Sequence, residues 1–331
     1  MDLKLVCASH SPLIHFPARE TSDTLALRAA LADTQSRIRT FDPELVIIFG
    51  CDHYGGHQMA SMPAFCVGVE ATALADVGGT PGRLTVPRQT AVRCVDALRG
   101  DDIDVAVSYA MDVDHGFSQA LVELTGGVSA YPVLPIFVSC LQPPFVPFKR
   151  ARALGAAMAR FIRTLELDRV LILGTGGLSH DPEMLFPAID NVSPEWRPYH
   201  LLGNRQNDVS QASWLAYEIE MHHAAAGMLA RGELPVEALK IDEAWDRAFL
   251  NLLEHGDLAD VDRWTPTEVI AGGGFGAMEI LSWIAATQCM SEATGARPRR
   301  SFHRGIPEVG IGFGIAETGS EVLRSMARGE A

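Results

Sequence analysis

The chain has 331 residues, of which 47% are hydrophobic and 21% charged, ordinary globular usage that excludes the low-hydrophobicity, high-charge pattern of disorder. Its formal charge of −14, from 27 basic against 41 acidic residues, argues against a nucleic acid or an anionic membrane surface and leaves a small molecule as the expected partner. Six scattered cysteines without a C-x-x-C pair, no basic and then apolar leader, and no apolar run of about 18 residues point to a reduced, cytoplasmic protein with no membrane span.

Leu3 to Ala8 reads as a first strand that runs into Ser9-His10-Ser11-Pro12, where the proline stops it. Thr21 to Thr40 carries Leu27, Leu31 and Ile38 at helical spacing, with Ser22 and Asp23 as candidate caps. Leu45 to Phe49 is a continuous, β-branched apolar run, the pattern of a strand covered on both faces in a parallel sheet, with a short buried helix as the other reading. Gly50 breaks that run, and Asp52 and His53 follow at once.

Ala64 to Val69 is a further strand, and the glycine- and proline-rich stretch from Gly78 to Gly82 a loop before a helix that starts near Pro87 and ends by Gly100. Ile103 to Ala110 is strand-like and leads to Asp114-His115. Val133 to Val138 is a strand that Pro135 marks as bulged or at an edge. A helix over Phe148 to Leu165 precedes a strand from Arg169 to Leu173, which opens into Gly174-Thr175-Gly176-Gly177-Leu178-Ser179-His180-Asp181. Residues 182–213 read as a long loop or lid. Trp214 to Arg231 and Glu243 to Leu253 read as helices, Gly272 to Gly276 as a flexible entry to an apolar helix from Ala277 to Met290, and Val309 to Ala316 as the last strand before an exposed, charged tail helix. Strands alternating with helices, without an internal repeat, predict a single α/β domain over residues 1–331: a mixed or mostly parallel sheet flanked by helices, with the active site at the strand ends.

Four histidines, His10, His53, His115 and His180, each follow a predicted strand. One such histidine alone is more often structural than chemical, but four would meet in one crevice if their strands are parallel neighbours. Glu279 stands in an apolar segment, where a carboxylate needs a partner: an arginine or solvent in the bland reading, a metal in the sharper one. Two histidines and one carboxylate make the triad that leaves open positions on non-haem Fe(II). The glycines at 174–177 have neither dinucleotide nor P-loop spacing, and Asp181 breaks a nucleophile elbow. His53 and His57 have the i, i+4 spacing of a zinc helix, against which Gly55 and Gly56 argue, and the adjacent His222 and His223 read as surface residues.

Ser9-His10-Ser11-Pro12-Leu13, Pro43 to Tyr54, Val107-Ser108-Tyr109 with Val113-Asp114-His115-Gly116-Phe117, Gly176-Gly177-Leu178-Ser179-His180, Trp245-Asp246, and Glu279-Ile280 with Trp283 together resemble the class III extradiol ring-cleavage dioxygenases, nearly end to end. The resemblance implies Fe(II) held by His10, His53 and Glu279, with His180 as the base toward a catechol and His115 as an acid. It also implies O2 as co-substrate, a catechol with a carboxylated side chain such as 2,3-dihydroxyphenylpropionate or 2,3-dihydroxycinnamate, and a homo-oligomer, by resemblance a homotetramer. Asp114 and Asp181 either orient the neighbouring histidines or face water. A zinc hydrolase in the same cleft, or a silent binding protein of the same fold, are the alternatives.

Overall fold

The computed structural model describes residues 1–57, 59–182, 189–202 and 211–323. In chain order the strands are β1 (Asp2–Ala8), β2 (Leu45–Gly50), β3 (Phe65–Gly68), β4 (Ala71–Ala73), β5 (Gly82–Arg83), β6 (Ala106–Ser108), β7 (Met111–Val113), β8 (Val133–Val138), β9 (Arg169–Thr175), β10 (Arg299–Ile306), β11 (Ile311–Glu317) and β12 (Glu321–Val322). The α-helices are α1 (Ser22–Phe41), α2 (Arg88–Gly100), α3 (His115–Thr125), α4 (Phe148–Ile162), α5 (Arg197–Leu202), α6 (Gln211–Arg231), α7 (Glu243–His255), α8 (Pro266–Gly273) and α9 (Ile280–Thr294).

Among the described residues the main sheet runs β10-β11-β1-β9-β2-β8-β3-β6, with β12 also on β1, and β5-β4-β7 form a small second sheet. The strands β1, β9, β2 and β8 are mutually parallel, and antiparallel pairs flank them on either side. This is a single α/β domain with a mixed sheet between helical layers. The apolar runs explain why: every residue of β2 and β8 is buried, because each face of the parallel core is covered. Leu5, Cys7, Ile47 and Phe49 join one core with α4 and α9. Val6, Ala8, Val46 and Ile48 join the other with α1 and α3. Helix α9 is buried on every side from Ile280 to Met290, as a helix with apolar residues all round its axis must be, with Ser282, Thr287 and Gln288 buried among them. It lies close on α4 because a Cβ at Gly155 would stand 2.2 Å from the carbonyl oxygen of Ala285.

Several expectations change. Pro135 lies inside the sheet, between β2 and β3. The antiparallel pairing of β8 with β3 covers residues 136–138, and Pro135 packs beside Gly68, where a Cβ would meet its Cγ at 2.9 Å. The cap of α1 is Thr21, in a reciprocal pair with Thr24, and not Ser22 or Asp23. The strand read over 103–110 is only the three residues of β6, while α3, α8 and β10 went unread. In the span 182–213, Ile189–Asn191 form a 3-10 turn and Arg197–Leu202 a helix; residues 183–188 and 203–210 lie outside the described residues. The expected tail helix begins instead as β12, and the remainder of the tail, 324–331, also lies outside them.

Candidate active site

Because β1, β9 and β2 are adjacent and parallel, their carboxyl ends form one edge, and His10, His180 and His53 lie just past those ends. His115 arrives by another route. It follows β7 of the small sheet and opens α3, with Asp114 as the cap accepting the Gly116 N–H at 2.9 Å. Glu279 sits not within an α-helix but at the end of a 3-10 turn, Phe275–Glu279, that leads into α9. All five residues face one cleft.

The carboxylate of Glu279 is the hub. Its Oε2 accepts the Gly177 N–H at 2.5 Å and stands 3.7 Å from His10 Nε2. Its Oε1 stands 3.5 Å from His53 Nε2 and 3.7 Å from His180 Nε2, and accepts no hydrogen bond from the described residues. Donor atoms of His10, His53, Glu279 and Cys51, a residue the sequence did not single out, lie within 4.8 Å of one another. Burial first, and then Cys140 and the nearby carboxylates, push the Cys51 thiol well up.

Each imidazole is held by its other nitrogen. His10 Nδ1 pairs with Thr175 Oγ1 at 2.9 Å, across the β1–β9 pairing that sets Ala8 opposite Thr175. Asp114 accepts the backbone N–H of His53 and lies 3.5 Å from its Nδ1, so it serves His53 and not its sequence neighbour His115. Asp76 fills that role, with Oδ2 at 2.6 Å from His115 Nδ1 and 2.8 Å from its backbone nitrogen. His180 Nδ1 lies 3.1 Å from the carbonyl oxygen of Leu178. A carbonyl only accepts, so Nδ1 carries a hydrogen and, in the neutral ring, the lone pair lies on Nε2.

The glycines that matched no nucleotide motif make room for this arrangement. A Cβ at Gly177 or Gly276 would fall 2.1 or 2.2 Å from His180 Cε1, so the ring occupies a slot between two backbone segments. Gly176, at φ +150°, lies against Glu279, where a Cβ would stand 2.7 Å from that residue's own. Behind the slot, buried Asp246 accepts the Ser179 N–H at 2.8 Å and pairs with His303 Nε2 at 3.0 Å.

Burial disfavours the charged form of every group in the cluster, yet the charges sort themselves. Burial would raise Glu279, but His53, His10 and His180 outweigh it and hold the carboxyl far below the ordinary range. Burial would lower His53, but Asp114 and Glu279 hold it well up. Burial brings His10 down to about 3, against the pull of Glu279, and burial with His53 brings His115 down to about 3. The rings of His53 and His115 stack at 4.1 Å, so one positive charge there excludes the other.

Opposite the cluster the cleft is largely apolar, with Leu13, Leu229, Leu234, Leu239 and Ile311 on it. His222 also lines it and is buried, contrary to its reading as a surface residue, whereas His223 is exposed and stacks on Phe16 at 4.3 Å. Asp181 reaches the cleft too. His57 stays apart, stacked on Phe137 at 3.8 Å, and the segment from His53 to His57 is not helical.

A family model described as the catalytic LigB subunit of aromatic ring-opening dioxygenase matches residues 4–314. The chain is 38% identical over 315 residues to the 2,3-dihydroxyphenylpropionate/2,3-dihydroxicinnamic acid 1,2-dioxygenase of Mycolicibacterium smegmatis, covering 95% of this chain and 98% of that protein. It is 38% identical over 322 residues to the protein of the same name from Klebsiella pneumoniae, covering 97% and 100%. A crystal structure of an uncharacterized protein from Escherichia coli K12 covers 96% of this chain and 99% of its own at 13% identity and a TM-score of 0.48, a likeness too remote to build on. The chain therefore belongs to the LigB family of aromatic ring-opening dioxygenases, and is an oxidoreductase of that class.

Proposed function

We propose that this enzyme opens the ring of a catechol bearing a carboxylated side chain, 2,3-dihydroxyphenylpropionate or 2,3-dihydroxycinnamate, beside a hydroxylated carbon, with both atoms of O2 retained in the product. The observation that carries the proposal is the set of two imidazoles and one carboxylate, His10, His53 and Glu279, facing one another at the strand ends of a cleft that also holds His115 and His180.

That donor set fits Fe(II). Glu279 Oε1 is buried without a hydrogen bond from the described residues, and the imidazole nitrogens nearest it, at 3.5 and 3.7 Å, are too far for good ones. The carboxylates of Glu279 and Asp114 already draw positive charge onto His53, the place a cation would take. Imidazole and carboxylate suit Fe(II) and leave positions open for other ligands. Fe(II) held by His10, His53 and Glu279 would supply the one-electron chemistry by which a catechol can react with O2.

The chain's own residues would manage the protons. His180 Nε2, the nitrogen that holds the lone pair in the neutral ring whose Nδ1–H faces the Leu178 carbonyl, would take a proton from a catechol hydroxyl. His115 would return one during the rearrangement, its imidazolium supported by Asp76. The apolar wall would pack on the ring and keep water from it. A zinc hydrolase would use the same ligands, but no feature of the site favours it. The cytoplasm and a homo-oligomer, expected as a homotetramer, complete the proposal; sedimentation velocity would test the assembly. Among the described residues no helix is long and apolar enough to cross a membrane.

The test is reconstitution with Fe(II) in the absence of air, followed by 2,3-dihydroxyphenylpropionate and oxygen. Oxygen uptake with a yellow ring-opened product is expected. Neither signal across a panel of catechols, or activity restored by Zn(II) instead, would overturn the proposal.

A further inference from the structure

His53 and His115 have carboxylates at Nδ1, whereas His180 Nδ1 lies 3.1 Å from a backbone carbonyl, that of Leu178. The other end of that same peptide unit is held by a carboxylate: the Ser179 N–H donates to Asp246 Oδ1 at 2.8 Å. The Leu178–Ser179 peptide is trans and planar, so its carbonyl and its N–H point in opposite directions, and a group that fixes one end fixes the other. A carboxylate on the N–H also polarises the peptide and makes its carbonyl a better acceptor. Asp246 thus stands to His180 as Asp76 stands to His115, with one peptide unit between carboxylate and ring.

The surroundings of Asp246 suit that task. It is fully buried in α7, and a buried carboxylate is tolerated only with partners, here the Ser179 N–H and His303 Nε2 at 3.0 Å. Neither Asp246 nor His303 is among the residues that line the cleft, so an effect of either on the chemistry must pass through another residue. The start of α7 grips the same segment twice more. The N–H of its cap, Asp242, donates to the Ser179 hydroxyl at 2.8 Å. Trp245 packs on Gly273, where a Cβ would lie 2.9 Å from the indole, and the Gly273 carbonyl accepts the His180 N–H at 2.8 Å. With the Gly312 N–H on the Ser179 carbonyl at 2.8 Å, every polar atom of the residue before His180 is hydrogen-bonded.

Resting on the function proposed above, we infer that Asp246 is a positioning residue for the base: through the Leu178–Ser179 peptide it fixes the direction of the His180 ring and keeps the hydrogen on Nδ1. The experiment compares the Fe(II)-loaded parent with Asp246→Ala, Asp246→Asn, His180→Gln and the double variant Asp246→Ala with His180→Gln. Turnover of 2,3-dihydroxyphenylpropionate with O2 is joined by iron content and by amide hydrogen exchange of the loaded proteins without substrate. Asp246→Ala should keep its iron and lose kcat by about 10–100-fold, the usual effect of removing an outer partner, with KM little changed. Asp246→Asn, which keeps an oxygen for the Ser179 N–H, should recover part of the loss. In the His180→Gln background Asp246→Ala should cost less than about twofold more, because residues that act through one another are not additive, whereas a merely structural residue lowers both backgrounds by the same factor. Exchange in Asp246→Ala should rise over residues 177–181 and stay as in the parent in β2 and β8.

Equal losses in the two backgrounds, no loss in Asp246→Ala, or exchange that rises everywhere or nowhere would overturn the inference. Should Asp246→Ala fail to fold, Asp246→Asn decides by the same comparison: a loss present with His180 and absent from the His180→Gln background supports the inference, and any other result overturns it. The exchange arm is independent of turnover, so a parent that opens no catechol, but whose Asp246→Ala form loosens at 177–181 alone, would reject the proposed reaction and leave the hold of Asp246 on His180 standing.

Discussion

Asp76 holds His115 at two points, the ring Nδ1 at 2.6 Å and the backbone N–H at 2.8 Å, both through Oδ2. Burial and then His53 push His115 down to about 3, burial and then Asp114 push Asp76 up, and the contact with Asp76 engages the Nδ1 side of the ring. Asp76→Asn keeps the shape and removes the charge that would steady an imidazolium. It should retain iron and folding while turnover falls about 10–100-fold, the usual effect of losing an outer partner. Unchanged kcat with intact iron would show that Asp76 only shapes its loop.

Ligands and proton carriers separate by iron content. His53→Ala and Glu279→Ala should lose the metal, because each removes a donor from the cluster. His115→Gln and His180→Gln should keep it and lose turnover by about 10²–10⁴-fold. Iron per chain measured beside thermal unfolding distinguishes these outcomes from simple destabilisation. A folded, iron-free His180→Gln would make His180 a ligand, and a folded, fully active one would remove it from the chemistry.

The slot around His180 predicts that Gly276→Ala fails catalytically before it fails structurally. The new Cβ would lie 2.2 Å from the His180 ring, a side chain that can swing aside. Displacement of a catalytic group by about 1 Å can cost on the order of 10²-fold in rate. The expected result is an iron-loaded, folded variant with that loss. Gly100→Ala, where a Cβ meets nothing within 4 Å, is the control and should leave activity unchanged.

His57 supplies a pH signature away from the cluster. Burial lowers it to about 4, and its Nδ1 has no hydrogen-bond partner among the described residues. An unfolded histidine takes up its proton near pH 6.5, the folded one not until about 4. His57 therefore makes stability fall as pH drops from about 6.5 to 4. His57→Phe, which can still stack on Phe137, should gain on the parent by about 1–2 kcal/mol between pH 7.5 and 4.5, allowing for partial solvent access. Urea unfolding of both proteins at the two pH values checks it, and a constant difference would overturn it.

The parallel core was readable because its information is local: largely apolar runs in β1, β2 and β9, each followed by a histidine, announce strands and what lies beyond their ends. The groups that orient the histidines were not. Asp76 and Thr175 meet His115 and His10 only through the fold, and Asp114 turned out to serve His53. Helix α8 was hidden by its closing glycines, and β10 by a polar sequence, Arg299 to Ile306, that suits a mostly exposed edge strand. His222 was misread because an adjacent histidine pair does not reveal which member faces inward.

One consequence concerns the order in which contacts can form. The strand β1 lies between β9 on one side and β11 and β12 on the other, with Val6 opposite Glu317 and Leu3 opposite Glu321. A strand early in this sequence thus has half its hydrogen-bonding partners late in it, and contacts so distant in sequence form slowly. His10 hangs from that strand and Glu279 stands far later in the sequence, so the cluster needs both segments in place. The centre is therefore complete only when two segments far apart in the sequence have docked on each other.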